Sequence, residues 1–374
     1  KGRITCKKFC VFYPPVSKWG GGLTAVMMNY YRALWNNEKY DGKYKIDFCS
    51  QNAIDNRLSM EIKAHGCKYY QLPSRKKHTI GHYAALRKIV KNGNYNIVHL
   101  NCNSATGAFD LMTIGKYAPK RIAHIHNSNT QYPFIHKVMK SNFNRLYTDA
   151  VACSQLAGDW IFTRPFTVLN NAVDVDKFQY SESKRKEMRK QFGLTDGDYV
   201  IGHVGKMFSD QKNQEYLISI LPAIKKKIPE AKLFFVGDGQ YMETHKKEAK
   251  ESGHEMDIIF AGFHSNTYDY MQLFDVFCFP SRYEGLGMVA VEAQASGLCV
   301  VMSDLIPREA AVTSNTTFVG ITKEAENDWV DAIMKYKNDG MPRTGRCAKA
   351  KEEIGISGYD INKELDKLIN IYEQ

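Results

Sequence analysis

One stretch of the chain, CFPSRYEGLGMVAVEAQASGLCVVMSD, constrains the fold more than any other. The segment 275–279, which is apolar after Asp275 and overlaps the start of this stretch, predicts a buried strand, which Pro280 ends. A loop with two glycines follows, Met288 predicts the start of a helix, and Gly297 predicts its end. This order of strand, glycine loop and helix is typical of parallel α/β sheets, in which the helix N-terminus offers backbone N–H groups to phosphates.

The loop and helix also carry two carboxylates eight residues apart, Glu284 and Glu292. Carboxylates are poor phosphate ligands, but they accept hydrogen bonds from sugar and ribose hydroxyls. Gly285 and Gly287 have no Cβ, so a ligand can approach their backbone closely. The stretch therefore predicts a site for a phosphorylated sugar or nucleotide.

The alternation of strand and helix continues along all 374 residues. This length and pattern predict an α/β protein of two Rossmann-like parallel-sheet domains that face each other. We place the first domain at 1–173 and the second at 174–356. No run of about 18 apolar residues occurs, so no membrane-spanning helix is predicted. The N-terminal segment has too short an apolar core for a signal peptide.

The first domain begins with a second strand, glycine loop and helix, in which Gly20, Gly21 and Gly22 follow a predicted strand over 7–13 with the apolar core FCVFY. The loop lacks the G-x-G-x-x-G spacing, and no acidic residue stands at the ribose-reading position of a dinucleotide site. NAD binding is therefore not predicted.

Two lysines follow the strand 200–204, in the segment GKMFSDQKN. Lys206 and Lys212 can offset the charge that develops when a bond to a diphosphate breaks. In the first domain, His124 and His126 lie on one face of a strand, and His126 lies at its carboxyl end, where ligands bind in open α/β sheets.

These segments together resemble a known enzyme family. Pro280-Ser281-x-x-Glu284-Gly285-x-Gly287 with Glu292 resembles the E-x7-E signature of the retaining GT-B glycosyltransferases of family 4. The segment from Gly205 to Asn213 resembles the G-R-x5-K-N motif of the family, with Lys206 in place of Arg, and His124-Ile125-His126-Asn127 resembles its H-x-H-N motif. The resemblance is closest to the EpsF-like enzymes of bacterial capsule and exopolysaccharide synthesis.

The resemblance implies a retaining transferase with the GT-B fold. It would move a hexose or N-acetylhexosamine from a UDP-sugar to an oligosaccharide or a glycan on a polyprenyl diphosphate lipid, and the helix 357–374 would pack back on the first domain. His126, Glu284 and Lys212 would be catalytic, with Glu284 on the sugar and Glu292 on the ribose. The residues that would bind the donor are Gly21, Gly22, Gly205, Lys206, Lys212, His264, Glu284, Gly285, Leu286, Gly287, Met288, Val289 and Glu292. No metal or other cofactor is expected, and the D-x-D at Asp174-Val175-Asp176 is assigned to a domain linker.

The charge of the chain is unevenly distributed. Residues 1–173 hold 25 Lys and Arg against 8 Asp and Glu, a net charge of +17, whereas residues 174–374 hold 26 against 32, a net charge of −6. No nucleic-acid-binding motif occurs, so we expect no nucleic-acid partner. We interpret the basic domain as a surface for an anionic membrane, with diffuse solubility charge as the alternative. The expected location is the cytoplasm, peripheral on the inner face of the cell membrane, and the exposed cluster 75–78 is a candidate contact.

Two other classes of protein remain open. A nucleotide-sugar-binding scaffold without activity could have the same fold, although it should lose Glu284, Glu292 and Lys212 first. A phosphorylase-like enzyme would need a lysine placed for pyridoxal phosphate, and no such motif is found. The nine scattered cysteines include no C-x-x-C metal pair and are typical of reduced, buried thiols.

Overall fold

The computed structural model describes residues 7–12, 22–54 and 56–374. The described chain forms two compact units, one that ends at Ala172 and regains Ile361–Gln374, and one that spans Val173–Asp360. The first boundary lies one residue from the predicted one and the second lies four residues beyond it. The first domain is predicted to lie on the acceptor side and the second to bind the nucleotide-sugar donor, and both roles stay predictions.

The first unit is built on a seven-stranded parallel sheet in the order β3-β2-β1-β4-β5-β6-β7. Its strands are β1 (Lys7–Phe12), β2 (Tyr44–Ser50), β3 (Tyr69–Gln71), β4 (Ile97–Cys102), β5 (Lys120–Ile125), β6 (Asp149–Ala152) and β7 (Thr167–Val168). All six residues of β4 are buried, as expected for a strand covered on both faces. In the register of β4 and β5, Asn101 lies opposite His124.

Six helices connect these strands. They are α1 (Gly22–Trp35), α2 (Asn56–Ala64), α3 (Thr79–Gly93), α4 (Ala108–Ile114), α5 (Pro133–Leu146) and α6 (Gln155–Ile161). Right-handed crossovers place α1 and α2 on one face of the sheet and α3 to α6 on the other. On that second face α3 packs against α4 and α4 against α5. The helix α3, for example, buries His82, Leu86 and Val90 at four-residue spacing.

The second unit has a six-stranded parallel sheet in the order β10-β9-β8-β11-β12-β13. Its strands are β8 (Tyr199–Val204), β9 (Ala231–Val236), β10 (Ile258–Phe260), β11 (Val276–Phe279), β12 (Cys299–Ser303) and β13 (Thr316–Val319). Its helices are α7 (Glu182–Gln191), α8 (Gln214–Lys227), α9 (Met242–Glu251), α10 (Thr267–Leu273), α11 (Met288–Ala295), α12 (Glu326–Lys337) and α13 (Arg343–Ile356). Both units are therefore Rossmann-like α/β sandwiches, as predicted.

The last helix, α14 (Ile361–Glu373), belongs to the first unit, where it packs against α1. A buried chain of polar groups joins it to the sheet. The Tyr372 hydroxyl lies 2.7 Å from His99 Nδ1 and 3.2 Å from the Tyr31 hydroxyl. Glu364 accepts a hydrogen bond from the backbone N–H of Asn170. These contacts fix α14 on the first unit.

Two local boundaries differ from the expected ones. The sequence predicts one helix over residues 104–117, whereas the structure has a seven-residue α-helix there, α4, between two short 3-10 turns, because Gly115 has a φ of +44° and ends it. Strand β5 ends at Ile125, so His126 lies one residue beyond the strand. Among the described residues, no helix is long and apolar enough to cross a membrane.

Candidate functional site

The predicted donor residues of the second unit lie at the carboxyl edge of its parallel sheet. Loops follow β8, β9 and β11 at this edge, where ligands bind in open α/β sheets. We call these three loops, residues 205–213, 237–241 and 280–287, the donor edge.

The loop after β11 has the geometry that the glycines predict. Gly287 has a φ of +84°, and a Cβ at this position would lie 2.8 Å from the ring of Phe279. A Cβ on Gly285 would meet nothing within 4 Å, so the backbone here is open to a ligand. Helix α11 begins directly after Gly287, so the N–H groups of Met288 and Val289 belong to its first turn. Leu286, like these two residues, is half-buried.

Lys212 and Glu284 form a close ion pair across the donor edge. Lys212 Nζ donates to Glu284 Oε1 at 2.6 Å, and the two side chains are only 18 % and 9 % exposed. The ammonium group also lies 4.8 Å from the centre of the Phe279 ring. A charge pair this far from solvent depends on its geometry for its stability, so the surrounding loops must hold both partners in place.

Hydrogen bonds connect the two loops that carry this pair. Asn213 Nδ2 donates to the Pro280 carbonyl at 3.0 Å, the Arg282 N–H donates to the Gln211 carbonyl at 2.8 Å, and Gln211 Nε2 donates to the Tyr283 carbonyl at 3.0 Å. Asn213 itself adopts a left-handed conformation with φ +56°, which asparagine tolerates. The loops therefore preorganise Lys212 and Glu284 before any ligand binds.

The second predicted cation, Lys206, lies in the same place. It is half-buried, and burial together with the nearby charge of Lys212 lowers its pKa. Two like charges near each other favour a bound anion. The donor edge thus brings together Lys206, Lys212 and Glu284, as the sequence predicts.

The glycines after β9 make a structural contribution that we did not predict from the sequence. A Cβ on Gly237 would lie 1.9 Å from the Gly205 carbonyl oxygen, and a Cβ on Gly239 would lie 2.3 Å from backbone atoms of Met207. Gly205 donates its N–H to the Val236 carbonyl at 2.9 Å, and Met207 donates to the Asp238 carbonyl at 3.0 Å. Only glycine allows these two loops to approach so closely. The motif Gly-Asp-Gly after a strand was a signal that could have revealed this.

A buried histidine below the donor edge was also missed. His203 in β8 is hydrogen-bonded through Nδ1 to the Cys278 carbonyl at 2.9 Å, and burial lowers its pKa to about 3. A Cβ on Gly205 would lie 2.8 Å from His203 Nε2. A neutral imidazole therefore supports the loop that carries Lys206 without adding a third positive charge.

Glu292, the second predicted carboxylate, lies half-buried on α11. Burial raises its pKa to about 7, and the nearby positive charge of Lys177 opposes the rise. A carboxylate held out of water at neutral pH is the group that gains most from a hydrogen-bond donor supplied by a ligand.

The raised pKa of Glu292 predicts a pH-dependent stability difference. The folded protein holds this proton up to about pH 7, whereas the unfolded chain releases it near the usual value of about 4.3. The wild type therefore loses stability at this residue as the pH rises from about 4.5 to 7. We expect Glu292→Gln to leave the Tm unchanged near pH 4.5 and to raise it above pH 7, as measured by thermal unfolding across this range. A Tm difference independent of pH would contradict this account.

His264 is one of the predicted donor-binding residues, and we expect the backbone of His264 or its neighbours to bind the nucleobase. It lies in the loop after β10. Its Nε2–H donates to the Ala261 carbonyl at 2.9 Å, and its ring packs on Tyr270 at 4.4 Å between centroids. In the same loop, the Gly262 carbonyl accepts the N–H of Gly237 at 2.8 Å. The side chain of His264 thus shapes the loop next to the donor edge, and its backbone role stays a prediction.

The candidate residue of the first unit, His126, is held by Asn101. His126 Nε2 lies 2.9 Å from Asn101 Oδ1, so Nε2 carries the proton and donates, and Nδ1 remains an acceptor. The ring packs on His124 at 4.0 Å between centroids, and His124 Nδ1 lies 3.1 Å from His99 Nε2. Burial lowers the pKa of His126 to about 3. His126 is therefore a neutral hydrogen-bonding group at physiological pH.

This contact predicts how Asn101 sets the tautomer of His126. In Asn101→Asp, a carboxylate still accepts the Nε2 proton, and its charge should raise the pKa of His126 by more than about one unit. In Asn101→Leu, the acceptor is lost, and a mixture of tautomers should appear. Nitrogen-15 NMR of histidine-labelled protein measures both, with His126→Gln to assign the signal. A wild-type His126 protonated on Nδ1 would contradict the assignment.

Two remaining predictions concern the first unit. Gly21 lies outside the described residues, and Gly22 is the first residue of α1. The cluster 75–78 is not uniformly exposed, because Arg75 points inward and pairs with the buried Asp110 at 3.3 Å. Lys76, Lys77 and His78 are exposed. Over residues 7–12, 22–54 and 56–374, no three His, Cys, Asp or Glu side chains converge on a metal-binding geometry.

Residues 184–354 match the sequence family described as "Glycosyl transferases group 1". EpsF of Bacillus subtilis (strain 168), a protein named as a glycosyltransferase, is 27 % identical over 366 residues, which cover 94 % of this chain and 93 % of EpsF. The UDP-Gal:alpha-D-GlcNAc-diphosphoundecaprenol alpha-1,3-galactosyltransferase of Escherichia coli is 22 % identical over 304 residues, 77 % of this chain and 78 % of that protein.

Among solved structures, HepE of Anabaena in complex with UDP superimposes with a TM-score of 0.76 and 17 % identity, covering 98 % of this chain and 99 % of that chain. The two parallel-sheet units thus define the GT-B fold. The chain therefore has the GT-B fold, and residues 184–354 of its second unit match the group 1 glycosyl transferase family.

Proposed function

We propose that the chain is a retaining, metal-independent glycosyltransferase of family 4. It transfers a hexose or N-acetylhexosamine from a UDP-sugar to a glycan acceptor, in the synthesis of a capsule or exopolysaccharide. The observation that carries this proposal is the donor edge, where Lys206 and the Lys212–Glu284 pair lie beside an open glycine loop at the start of α11.

Each group of the donor edge has a separate task in this proposal. The N–H groups from Gly285 to Val289 bind the sugar and the phosphates, as expected for the first turn of a helix. Glu284 orients the sugar hydroxyls, and Glu292 accepts the ribose hydroxyls. The backbone of the His264 loop binds the base. We assign His126, Gly21 and Gly22 of the first unit to the same reaction on the family resemblance alone.

The reaction we propose needs no catalytic base on the chain. The acceptor hydroxyl forms its bond to the anomeric carbon on the face from which the UDP phosphate departs, and its proton passes to the departing phosphate oxygen. The products are UDP and a glycoside of unchanged anomeric configuration. Lys206 and Lys212 stabilise the negative charge that grows on the diphosphate as its bond to the sugar breaks.

The relatives support the choice of donor and acceptor. HepE binds UDP, and the Escherichia coli relative transfers galactose from UDP-galactose to a sugar on diphosphoundecaprenol. We therefore propose a UDP-sugar as donor and a polyprenyl-diphosphate-linked or free oligosaccharide as acceptor. Such an acceptor is embedded in a lipid bilayer, so we also propose that the protein works in the cytoplasm as a peripheral protein on the inner face of the cell membrane.

A transfer assay tests the proposal. The full chain is incubated in EDTA with a panel of UDP-hexoses and UDP-N-acetylhexosamines and a synthetic lipid-diphosphate sugar, and proton NMR records the anomeric configuration of the product. We expect an α-linked product from an α-linked donor. A β-linked product would overturn the retaining mechanism, and transfer that requires a divalent cation would overturn the metal-independent one. Absence of transfer, with intact nucleotide binding, would favour a scaffold.

A further inference from the structure

The helix layer formed by α3, α4 and α5 has an unusual charge composition. Between Glu61 and Asp149 the chain holds 14 Lys and Arg but one acidic residue, Asp110. Asp110 is 2 % exposed, and it lies 3.3 Å from Arg75 and 3.7 Å from His82. No carboxylate of this stretch therefore reaches the surface. A surface that serves solubility alone carries charges of both signs, so this one indicates an anionic partner.

The same layer exposes large apolar side chains at one end. Ile80, Phe109 and Phe134 are 87 %, 38 % and 77 % exposed. Each is the second residue of its helix, in α3, α4 and α5 respectively. Helices that follow parallel strands begin at the carboxyl edge of the sheet, so these three side chains lie along that one edge of the first unit.

Further apolar residues and lysines extend this surface. Val138, one turn after Phe134 on α5, is 58 % exposed, and the exposed Lys137 lies beside it. The exposed Lys76 and Lys77 lie in the loop before α3, separated from its first residue, Thr79, by His78. We define the edge patch as Ile80, Phe109, Phe134 and Val138 together with Lys76, Lys77 and Lys137. Apolar side chains surrounded by lysines are typical of interfacial membrane contacts.

We propose that the edge patch is the surface by which the protein docks on an anionic lipid bilayer. The apolar side chains enter the interfacial region, and the lysines contact lipid phosphates. This proposal rests on the proposed function, which requires contact with a membrane, and it identifies the surface that makes this contact. Its position suits that function, because His126 follows β5 at the same carboxyl edge of the first unit. A lipid-linked acceptor would thus reach the protein at the edge where His126 lies.

The composition of the patch favours lipid over nucleic acid. Proteins that bind single strands stack bases on aromatic rings along a basic groove. Here two of the four apolar residues, Ile80 and Val138, are aliphatic and protrude singly from separate helices. Aliphatic side chains gain free energy by leaving water for acyl chains and have no face on which a base can stack.

Vesicle sedimentation of the full chain tests the proposal. We expect binding to phosphatidylcholine vesicles that contain about 30 % phosphatidylglycerol and little binding to pure phosphatidylcholine. The variant Lys76→Gln/Lys77→Gln/Lys137→Gln should bind about 100-fold more weakly, since each lysine near such a surface contributes about 1 kcal/mol. The variant Ile80→Ser/Phe134→Ser/Val138→Ser should bind at least about tenfold more weakly.

A matched variant controls for net charge. Lys246, Lys247 and Lys250 are exposed on α9 of the second unit, and changing all three to Gln removes the same charge. This control should bind vesicles within about twofold of the wild type. All the variants should keep wild-type UDP affinity, which separates failure of docking from failure of the proposed function. Vesicle binding that neither edge-patch variant weakens would overturn the proposal, as would lysine-dependent binding of a single-stranded oligonucleotide without vesicle binding.

Discussion

Replacing Lys212 by Met is expected to lower the maximal rate of sugar transfer by about 10²–10³-fold, the usual loss when a preorganised charge-stabilising group is removed. Lys212 Nζ lies 2.6 Å from Glu284 Oε1 in a pair with little exposure to solvent. The substitution therefore removes the charge that would stabilise the departing diphosphate, and it leaves Glu284 without its cation. UDP release at saturating donor measures the rate.

The chain offers a closely matched control for this substitution. Lys225 pairs with Asp257 at 2.9 Å in the same unit, and its side chain is 19 % exposed, against 18 % for Lys212. Lys225→Met thus breaks a similar ion pair away from the donor edge, and it should change the transfer rate by less than about threefold. Equal losses in the two variants would indicate a general effect on stability and would argue against a role for Lys212 in the reaction.

Replacing Glu292 by Ala is expected to weaken UDP binding roughly 30-fold to 1000-fold, which corresponds to the loss of one or two charge-assisted hydrogen bonds to the ribose, about 2–4 kcal/mol. The fold should survive, because burial raises the pKa of this carboxyl to about 7 and the wild type therefore gains little from keeping it ionised. Calorimetric titration with UDP measures the affinity.

The exposed Glu243 of α9 provides the control, since Glu243→Ala removes the same charge from the same unit. It should leave UDP affinity within about twofold of the wild type. If Glu292→Ala also bound UDP with unchanged affinity, the assignment of this residue to the ribose would be wrong.

Much of the donor edge was predictable because its signals are local. A proline that ends a strand, two glycines and the start of a helix lie within nine residues, from Pro280 to Met288. Each of these features has one main structural effect, and Gly287 indeed adopts a φ of +84°. The sequence also predicts a strand over Ala231–Val236, the observed bounds of β9, because Glu230 precedes this segment and Gly237 follows it.

The contacts that hold the site together could not be predicted, because they join residues far apart in the chain. The hydrogen bond from Asn213 to the Pro280 carbonyl spans 67 residues. Asn101 reaches His126 only because β4 and β5 pair in a register that places Asn101 opposite His124. The approach of Gly237 to Gly205 likewise depends on the order of β8 and β9 in the sheet.

The helix α5 escaped prediction for a different reason. Its buried face combines His136, Met139, Phe143 and Asn144, whereas Phe134 and Val138 are exposed. The apolar pattern of the sequence therefore does not mark the face that packs on the sheet. For the same reason, the apolar side chains of Phe134 and Val138 are exposed and can form part of the edge patch.

Calorimetric titration of the full chain with UDP, GDP and ADP in EDTA tests the central claim most directly. The claim is that the donor edge is a metal-independent site for a uridine diphosphate sugar. It predicts micromolar affinity for UDP, at least about tenfold weaker binding of GDP and ADP, and roughly 30-fold to 1000-fold weaker UDP binding in Glu292→Ala. Failure to bind any nucleotide in EDTA, or UDP binding that persists unchanged in Glu292→Ala, would contradict it.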